Sequence, residues 1–184
     1  MDLTGVSDEN LVFRARNGDG AAFGRLVERH YDFIYRVAYR WCGRRVDAED
    51  VAQDVCVRLG KAMGSYRGAG AFTTWLYALT LNAARDLKRR SQREQAKGEA
   101  YRTHTLSAAA NIDAPADGDP VDALWNAVRQ LSDKQRDATL LVYGEGLSHS
   151  AAAAVMAISE ATVSWHIHEA KKRLRVLMRE GEEV

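Results

Sequence analysis

Apolar side chains recur every three or four positions along most of the chain, and this spacing constrains the fold more than any other feature. The longest stripe covers residues 23–41, and the same rhythm returns over residues 48–59 and 72–87. Such spacing places apolar side chains on one face of an α-helix, whereas a half-buried strand would alternate. The sequence shows no strand-like segment of any weight and no internal repeat. We therefore predict an all-α protein.

Polar residues that precede the apolar stripes indicate where several helices begin. Ser, Asp and Asn side chains accept hydrogen bonds from the first free backbone N–H groups of a helix, and a Glu, Gln or Asp three residues on can reach back. The predicted caps are Ser7, Asp19, Asp47 with Asp50 at the third helical position, and Ser132 with Gln135.

The helical rhythm fails once, and this interruption divides the chain into two parts. Residues 96–120 contain both prolines and no large apolar residue in their second half except Ile112. This composition is typical of a flexible linker. We predict two small helical domains, a first block (residues 1–95) and a second block (residues 121–184), joined by the linker 96–120.

The formal net charge of +1 hides an uneven distribution of charge. The first block has 16 Lys and Arg against 12 Asp and Glu, the linker 2 against 4, and the second block 8 against 9. Clustered cations favour a polyanionic partner, although a solvated helix face would show the same pattern. The clusters are Arg85, Lys88, Arg89, Arg90 and Arg93 in the first block, and Lys171, Lys172, Arg173 and Arg175 in the second.

Several classes of protein are disfavoured by the sequence. No apolar run reaches the ~18 residues of a membrane helix, and no secretory signal is visible. The two cysteines, Cys42 and Cys56, have neither metal-site nor disulfide-framework spacing, so we expect buried structural thiols and a cytoplasmic protein. His166 and His168 are two residues apart and face different ways on a helix, which argues against a metal site. We expect no cofactor and no enzymatic activity.

Residues 148–174 have the lengths of a helix-turn-helix motif. A short alanine-rich helix leads to a turn at residues 157–159, and a longer helix follows with its apolar seam at Val163, Ile167, Ala170, Leu174 and Leu177. In this motif the second helix enters the major groove of DNA. The alternative is a helical hairpin whose polar face is solvated. The candidate DNA-binding residues are Thr162, Ser164, Trp165, His166, His168, Lys171 and Lys172.

The first block carries an acidic stripe on its third helix. Asp50 and Asp54 are four residues apart, a spacing at which like charges are mildly destabilising. A basic protein partner would offset that cost, and a solvated face is the alternative. The stripe consists of Asp47, Asp50 and Asp54, bordered by Gln53 and Arg58.

A glycine-rich loop and the basic helix that follows it form the third candidate surface. The loop holds Tyr66, Arg67 and Phe72, and an aromatic side chain beside an arginine can hold an unstacked base. A place in the core is the alternative for Phe72. Asn82, Arg85 and Arg89 share one face of the helix, which favours a nucleic-acid surface.

Taken together, these motifs resemble the extracytoplasmic-function (ECF) sigma factors, the small two-domain class of the sigma-70 family. The resemblance covers nearly all of residues 11–178. Its markers, in order, are AAFGRLVERHYDFIYRVAYRW, DAEDVAQDVCVRL, FTTWLYALTLNAARDLKRR and LSDKQRDATLLVYGEGLSHSAAAAVMAISEATVSWHIHEAKKRLRVLM. It implies a protein that binds core RNA polymerase and directs initiation of transcription at particular promoters. The phosphodiester chemistry would belong to the polymerase.

The resemblance also implies a role for each candidate surface. Asp47, Asp50, Gln53, Asp54 and Arg58 would bind the β′ clamp of the polymerase. The second block would read the minus-thirty-five element and face the β flap. An anti-sigma factor is a further implied partner. The residues implied in reading and opening the minus-ten element are Tyr66, Arg67, Phe72, Asn82, Arg85, Asp86, Arg89 and Arg90.

The chain departs from the family pattern in the second block. Ala157 stands in the turn where members usually have glycine, so the turn must close without a positive φ or with strain. Members commonly carry basic residues where this chain has Ser164, His166 and Glu169. Two rival functions stay open here: a stand-alone helix-turn-helix regulator, which binds duplex DNA without polymerase, and a helical adaptor that binds only protein.

Overall fold

The structure is a computed structural model that describes residues 5–66, 71–101 and 120–182. Every regular element in these ranges is helical, which confirms the all-α prediction. None of the described helices combines the length and apolar composition of a membrane span. The helices are α1 (Asp8–Arg16), α2 (Gly20–Cys42), α3 (Arg45–Ala62), α4 (Phe72–Tyr101), α5 (Pro120–Arg129), α6 (Asp133–Thr139), α7 (His149–Met156) and α8 (Glu160–Glu182).

Two short turns and one long helix complete the architecture. A 3-10 turn (Met63–Ser65) follows α3, and a π-helical turn (Leu140–Gly144) follows α6. The α4 helix continues to Tyr101, past the predicted end of the first block at residue 95. The rest of the predicted linker up to residue 119 lies outside the described residues.

Three of the predicted helix caps are confirmed. Ser7 caps α1, and Asp19 Oδ1 accepts a hydrogen bond from the Ala22 N–H at 3.0 Å at the start of α2. Ser132 and Gln135 form the expected capping box of α6, in which the Ser132 N–H donates to Gln135 Oε1 at 3.3 Å. Local hydrogen-bonding patterns therefore locate these helix starts correctly.

The prediction that Asp47 caps α3 is wrong. The helix begins earlier, at Arg45, with Arg44 at the capping position and no side-chain cap. Asp47 lies in the first turn, 3.7 Å from Arg44, and Asp50 lies beyond that turn instead of reaching back. The left-handed Gly43 (φ 80°) ends α2 and lets the next helix start almost at once.

The first block buries the predicted stripes of α2, α3 and α4 against one another and against α1. Full burial of a large apolar side chain stabilises the folded state by about 1.5–3 kcal/mol before conformational entropy is counted. The largest buried side chains in this block are Leu11, Leu26, Ile34, Trp41, Leu59, Phe72, Leu76 and Leu81.

The second block uses the predicted seam of α8 as its centre. Val163, Ile167 and Ala170 are buried, and Leu174 and Leu177 are half-buried at the outer end of the helix. The helix α8 contacts α5, α6 and α7. The alanines of α7 leave little side-chain bulk between it and its neighbours, so the hairpin of α7 and α8 is compact.

The two blocks share one core. Leu140 and Leu141 of the second block belong to the same buried cluster as Leu76 and Leu81 of α4. The helix α4 packs against α7, and α2 packs against α5 and the π-helical turn. The structure thus holds the two candidate nucleic-acid surfaces in one closed body.

The turn between α7 and α8 is closed by an alanine in the left-handed region. Ala157 has φ 53° and ψ 45°, and its N–H donates to the Ala153 carbonyl. This conformation destabilises the folded state by about 1–2 kcal/mol for a residue with a Cβ, whereas glycine adopts it without strain. The departure from the family pattern is therefore accommodated with strain.

Changing Ala157 to glycine is expected to raise the free energy of unfolding by about 0.5–1 kcal/mol, because relief of strain exceeds the added freedom of the unfolded chain. The matched control is Ala154→Gly in the exposed interior of α7, which we expect to lose about 1 kcal/mol. Urea unfolding of both variants measures the difference. Equal destabilisation by the two substitutions would show that Ala157 is unstrained.

Candidate nucleic-acid and protein interfaces

The acidic stripe of α3 lies on the surface of the first block. Asp50 and Gln53 are exposed, while Asp47 and Asp54 are half-buried. The buried face of the same helix carries Val51, Ala52 and Val55, so the acids lie on the side away from the core. The stripe therefore presents an anionic surface, which a basic partner would complement.

Arg58, which borders the stripe, joins α3 to α4. It lies 2.7 Å from Asp54 within α3 and donates to Asp86 Oδ2 of α4 at 2.9 Å. Hydrogen bonds to Asp54 and Asp86 raise the pKa of the guanidinium above its usual range. Because Arg58 already has two carboxylate partners, it fixes the shape of the surface as well as its charge.

A groove of about 310 Å³ runs between α3 and α4 beside the acidic stripe. Val57 on its edge is 63% exposed, which is high for a large apolar side chain. Arg90 of α4 reaches Asp54 at 3.7 Å across the groove. The groove thus brings the predicted polymerase-binding residues next to a predicted minus-ten residue. It is lined by Asp50, Val51, Gln53, Asp54, Val57, Ala83, Leu87 and Arg90.

Some of the predicted minus-ten residues of α4 are exposed to solvent, and others are bound to neighbouring side chains. Asn82, Arg89 and Arg90 are exposed. Arg85 donates to Asn82 Oδ1 at 2.8 Å and to Asp137 of the second block at 2.7 and 3.0 Å. The exposed members form a basic face with one amide, a combination suited to phosphate and base contacts.

The two predicted base-binding aromatic residues lie in the core. Tyr66 is 6% and Phe72 2% exposed. Their ring centroids are 5.5 Å apart, and Trp75 lies 5.4 Å from Tyr66 and 5.7 Å from Phe72. The alternative of a core role holds for Phe72 in this structure, and Tyr66, for which no core role was predicted, is buried beside it. Stacking of either ring on a base stays a prediction. Arg67 lies outside the described residues.

The helix-turn-helix of the second block presents most of its predicted residues to solvent. Ser164, Trp165, His168, Lys171 and Lys172 are exposed on α8, whereas Thr162 and His166 are half-buried. The start of α8 is ordered by Ser159, whose Oγ accepts from the Thr162 N–H at 3.1 Å. The N-terminal turns of α8 therefore form an exposed polar face with one large aromatic ring.

Neighbouring side chains hold several of these residues in place. His149 Nδ1 lies 2.8 Å from Ser164 Oγ, and Lys172 donates to Glu169 at 2.9 Å. The ammonium group of Lys171 lies 5.3 Å from the ring centre of Tyr143. Because Glu169 neutralises Lys172 locally, α8 offers fewer free cations than its composition indicates.

His166 lies at the boundary between the surface and the core. Its Nδ1 is buried and has no hydrogen-bond partner among the described residues. Burial, and then the nearby Lys134, lower the pKa of the imidazole below its usual range. The lowered pKa favours the neutral form of the ring, and because its Nδ1 is buried, the outer edge is the part that faces a ligand.

Cys42 is expected to be an unreactive thiol. Burial, with a smaller contribution from Asp47, raises the pKa of Cys42 to about 12, and burial also raises the pKa of Cys56. At pH 8 we expect Cys42 to react with a thiol reagent roughly a thousand-fold more slowly than in the urea-unfolded chain, since the thiolate is the reactive form. Stopped-flow labelling of the Cys56→Ala variant measures this rate. The structure places both thiols in half-buried positions, so they are less enclosed than predicted. Equal rates in the folded and unfolded chain would show that the fold does not shield Cys42.

The side chains that join the two blocks are not predicted as a group by any pattern in the sequence. Asp137 is fully buried and accepts from the Trp41 indole N–H at 2.9 Å as well as from Arg85. Asp137 precedes Ala138 and lies four residues before Leu141, inside an apolar stripe, where an acidic side chain needs a buried partner. The position of this acid within the stripe can be seen in the sequence, but the sequence does not show which side chain binds it.

Within the described ranges, no group of three or more His, Cys, Asp or Glu side chains is arranged to hold a metal ion. The surfaces described above consist instead of charged, amide and aromatic side chains spread over helix faces. Such surfaces can recognise macromolecules.

Comparison with known proteins matches each block to one region of a known protein family. The sequence profile of sigma-70 region 2 matches residues 26–94, and that of sigma-70 region 4 matches residues 122–174. Among solved structures, the chain is similar to the sigma factor RpoE in complex with the anti-sigma factor NepR from Bartonella quintana (TM-score 0.66, 20% identity, covering 85% of this chain and 96% of that one). It is also similar to CnrH in complex with the cytosolic domain of CnrY (TM-score 0.65, 26% identity, 94% and 97% covered).

Two curated relatives match over nearly their whole length. The RNA polymerase sigma-H factor of Pseudomonas aeruginosa is 32% identical over 97% of this chain and 100% of the relative. The ECF RNA polymerase sigma factor SigW of Bacillus subtilis is 31% identical over 92% of this chain and 95% of the relative. With regions 2 and 4 in this order on an all-helical chain, the protein belongs to the ECF sigma factors of the sigma-70 family.

Proposed function

We propose that this chain binds core RNA polymerase and directs initiation at promoters that carry its own minus-ten and minus-thirty-five elements. The proposal rests on one observation. The segment that matches region 2 presents an exposed face of Asn and Arg side chains, and the segment that matches region 4 presents an exposed polar helix face. Specificity lies in these surfaces, whereas catalysis belongs to the polymerase. The work of such a factor is done with RNA polymerase in the cytoplasm.

The acidic stripe of α3 is the proposed docking surface for the polymerase β′ clamp. Asp50 and Gln53 offer exposed acceptors, and Asp54 is held in place by Arg58. Charge complementarity of this kind raises the rate of encounter and fixes the register of two partners. The second block would meet the β flap, so both blocks are held on the enzyme.

The exposed face of α4 is the proposed minus-ten reader. Asn82 can bond to a base edge, while Arg89 and Arg90 can hold the backbone. Melting of the promoter duplex requires unstacking of bases, which costs a few kcal/mol. Capture of an extruded base by the protein offsets that cost. Arg85 belongs to this face by position, although in the closed structure it is paired with Asp137.

The N-terminal part of α8 is the proposed reader of the minus-thirty-five duplex. Ser164, Trp165 and His168 are exposed for base-edge contacts, and Lys171 lies further along for a phosphate. His166 would contribute its outer edge in a neutral form. An Ala replacement of His166 would then alter promoter preference, and transcription unchanged at every promoter would reject that role.

The division into functional parts follows from the same proposal. Residues 1–95 would bind polymerase and read the minus-ten element, residues 121–184 would read the minus-thirty-five element, and residues 96–120 would span the distance between them. An anti-sigma factor is a proposed partner, because two structures similar to this one are complexes, one of them with a named anti-sigma factor.

The test is initiation by sigma-free core polymerase with and without the purified chain, on fragmented genomic DNA from the source organism. We expect discrete new start sites that require the chain and share two sequence elements upstream. Absence of such starts, while a known sigma factor is active with the same core preparation, would overturn the proposal.

A further inference from the structure

A hydrogen bond joins the two helices of the helix-turn-helix motif beside the face proposed to read DNA. The Nδ1 atom of His149, the first residue of α7, lies 2.8 Å from the Oγ atom of Ser164 on α8. Ser164 is exposed, and His149 is half-buried. The partner of an exposed hydroxyl of α8 is therefore an imidazole ring from the neighbouring helix, 15 positions away in the chain.

The helices that carry these two side chains fix their positions. Ser148 caps α7 by accepting a hydrogen bond from the Ala151 N–H at 3.1 Å, so that His149 occupies the first helical position. Val163, the residue before Ser164, is fully buried in the seam of α8. The two helices also pack directly against each other. The hydrogen bond thus lies on a rigid frame, as recognition of a base edge requires.

The hydroxyl of Ser164 does not follow the usual pattern of a hydroxyl inside a helix. Such a group commonly donates its hydrogen to the carbonyl oxygen four residues earlier. Thr80 of α4 does so, with its Oγ1 2.9 Å from the Leu76 carbonyl oxygen. Among the residues that the structure describes, the partner of the Ser164 hydroxyl is His149 instead. The donor or acceptor role of Ser164 is therefore coupled to the imidazole ring.

The imidazole ring determines which hydrogen-bonding role is left to the hydroxyl. A hydroxyl group has one hydrogen to donate and two lone pairs, and a neutral imidazole has one donor and one acceptor nitrogen. When Nδ1 is the acceptor, the hydroxyl hydrogen points to His149, and Ser164 offers only lone pairs to DNA. When Nδ1 carries the hydrogen, the hydroxyl hydrogen is free to point to a base. The first arrangement binds an amino group of a base, and the second binds a carbonyl oxygen or a ring nitrogen.

The place of His149 at the start of α7 favours the first of these arrangements. The first helix of a helix-turn-helix motif crosses the DNA backbone. The Nε2 atom of His149 is the ring nitrogen that Ser164 does not hold. A phosphate oxygen that accepts from Nε2 keeps the hydrogen on that nitrogen, and in the neutral ring Nδ1 is then the acceptor. Binding of DNA therefore favours a Ser164 hydroxyl that accepts.

We propose that His149 is a specificity-determining residue of the minus-thirty-five reader and acts by holding the Ser164 hydroxyl as a hydrogen-bond acceptor. The base that Ser164 reads then carries an amino group in the major groove, as adenine and cytosine do, whereas guanine and thymine present acceptors there. His149 is a positioning residue in this role, because it acts on the base through Ser164. The inference rests on the proposed function of α8.

Initiation from a promoter of the wild type whose minus-thirty-five element is randomised tests the proposal. Core polymerase is combined with the wild type, Ser164→Ala, His149→Ala or the double variant, and the sequences that initiate are counted. At one position we expect the wild type to prefer adenine or cytosine about five-fold, which corresponds to one hydrogen bond. Both single variants should lose this preference, and the double variant should lose no more than Ser164→Ala.

His149→Asn and Ser150→Ala are the matched controls. The amide oxygen of asparagine can take the place of Nδ1 as an acceptor, so we expect His149→Asn to retain the preference. Ser150 is the next residue of α7 and is exposed, so its replacement should leave every base preference unchanged. A merely structural defect would lower initiation from all sequences by a common factor and would not change the preference at one position.

A base analogue tests the same hydrogen bond without a change to His149. Purine has the ring of adenine but lacks its amino group. Purine in place of adenine at the position identified above should lower initiation by the wild type about five-fold and should not affect Ser164→Ala. Equal use of adenine and purine by the wild type would contradict a hydroxyl that accepts.

The remaining results separate this proposal from the proposed function. If the wild type gives no starts with core polymerase, the proposed function fails. If the wild type initiates but His149→Ala keeps the preference that Ser164→Ala loses, only the role of His149 is overturned. A wild-type preference for guanine or thymine at the position that Ser164 reads would overturn that role as well.

Discussion

Changing Asp50 to lysine is expected to weaken binding of the chain to core RNA polymerase by about a hundred-fold. Asp50 is exposed in the middle of the acidic stripe of α3. Reversal of its charge removes an attraction and adds a like-charge contact with a basic partner, a change worth several kcal/mol at a close interface. Competition between this variant and labelled wild type for core polymerase measures the loss.

Glu49→Lys is the matched control for this result. Glu49 is the preceding residue on the same helix, is also exposed, and points about 100° away around the helix axis. We expect its affinity for polymerase to stay close to that of the wild type. Equal losses in the two variants would mean that net charge, and not the stripe, determines binding.

Replacing Asn82 and Arg89 together with alanine is expected to slow formation of the open promoter complex by about a hundred-fold, because each lost base or backbone contact costs roughly 1–3 kcal/mol. Both side chains are exposed on α4, so the substitutions leave the core intact. Affinity for core polymerase should not change. Single-round transcription at saturating polymerase measures the rate of opening.

Lys61→Ala removes an exposed cation at the end of α3 and controls for the loss of positive charge. We expect it to alter the rate of opening less than two-fold, since exposed single charges contribute little. If the double variant of α4 opens promoters as fast as Lys61→Ala, α4 does not read the minus-ten element. If the double variant loses polymerase binding, α4 belongs to the docking surface.

Helix positions and their buried faces were largely predictable from the sequence. The seam of α8, from Val163 to Ala170, is buried as the three-four spacing predicts. Ser7, Asp19 and Ser132 mark helix starts because capping depends on neighbouring residues alone. Such features need no knowledge of distant contacts.

Features that depend on the path of the backbone were harder to predict. The α3 start was misplaced because Gly43 allows two helices to follow each other almost directly, which removes the need for a side-chain cap at Asp47. Ala157 adopts a left-handed conformation that few residues with a Cβ tolerate. In both cases local composition was outweighed by the geometry of the turn.

Contacts between distant parts of the chain could not be read from the sequence. Arg85 was predicted as a DNA-binding residue from its helix face, yet its partner in this structure is 52 positions away. Tyr66 and Phe72 combine the properties of base-stacking and core residues, and only tertiary packing places them in the core. The sequence thus identified candidate surfaces better than it identified their state in the free chain.

Detection of unpaired thymines by permanganate at a promoter of this factor tests whether the chain acts as a sigma factor. We predict reactive thymines in the minus-ten element only when the chain, core polymerase and promoter are all present. The chain alone, or the polymerase alone, should leave the duplex paired. Sequence-specific protection of duplex DNA by the chain without polymerase, with no melting when polymerase is added, would contradict a sigma factor and indicate a stand-alone regulator.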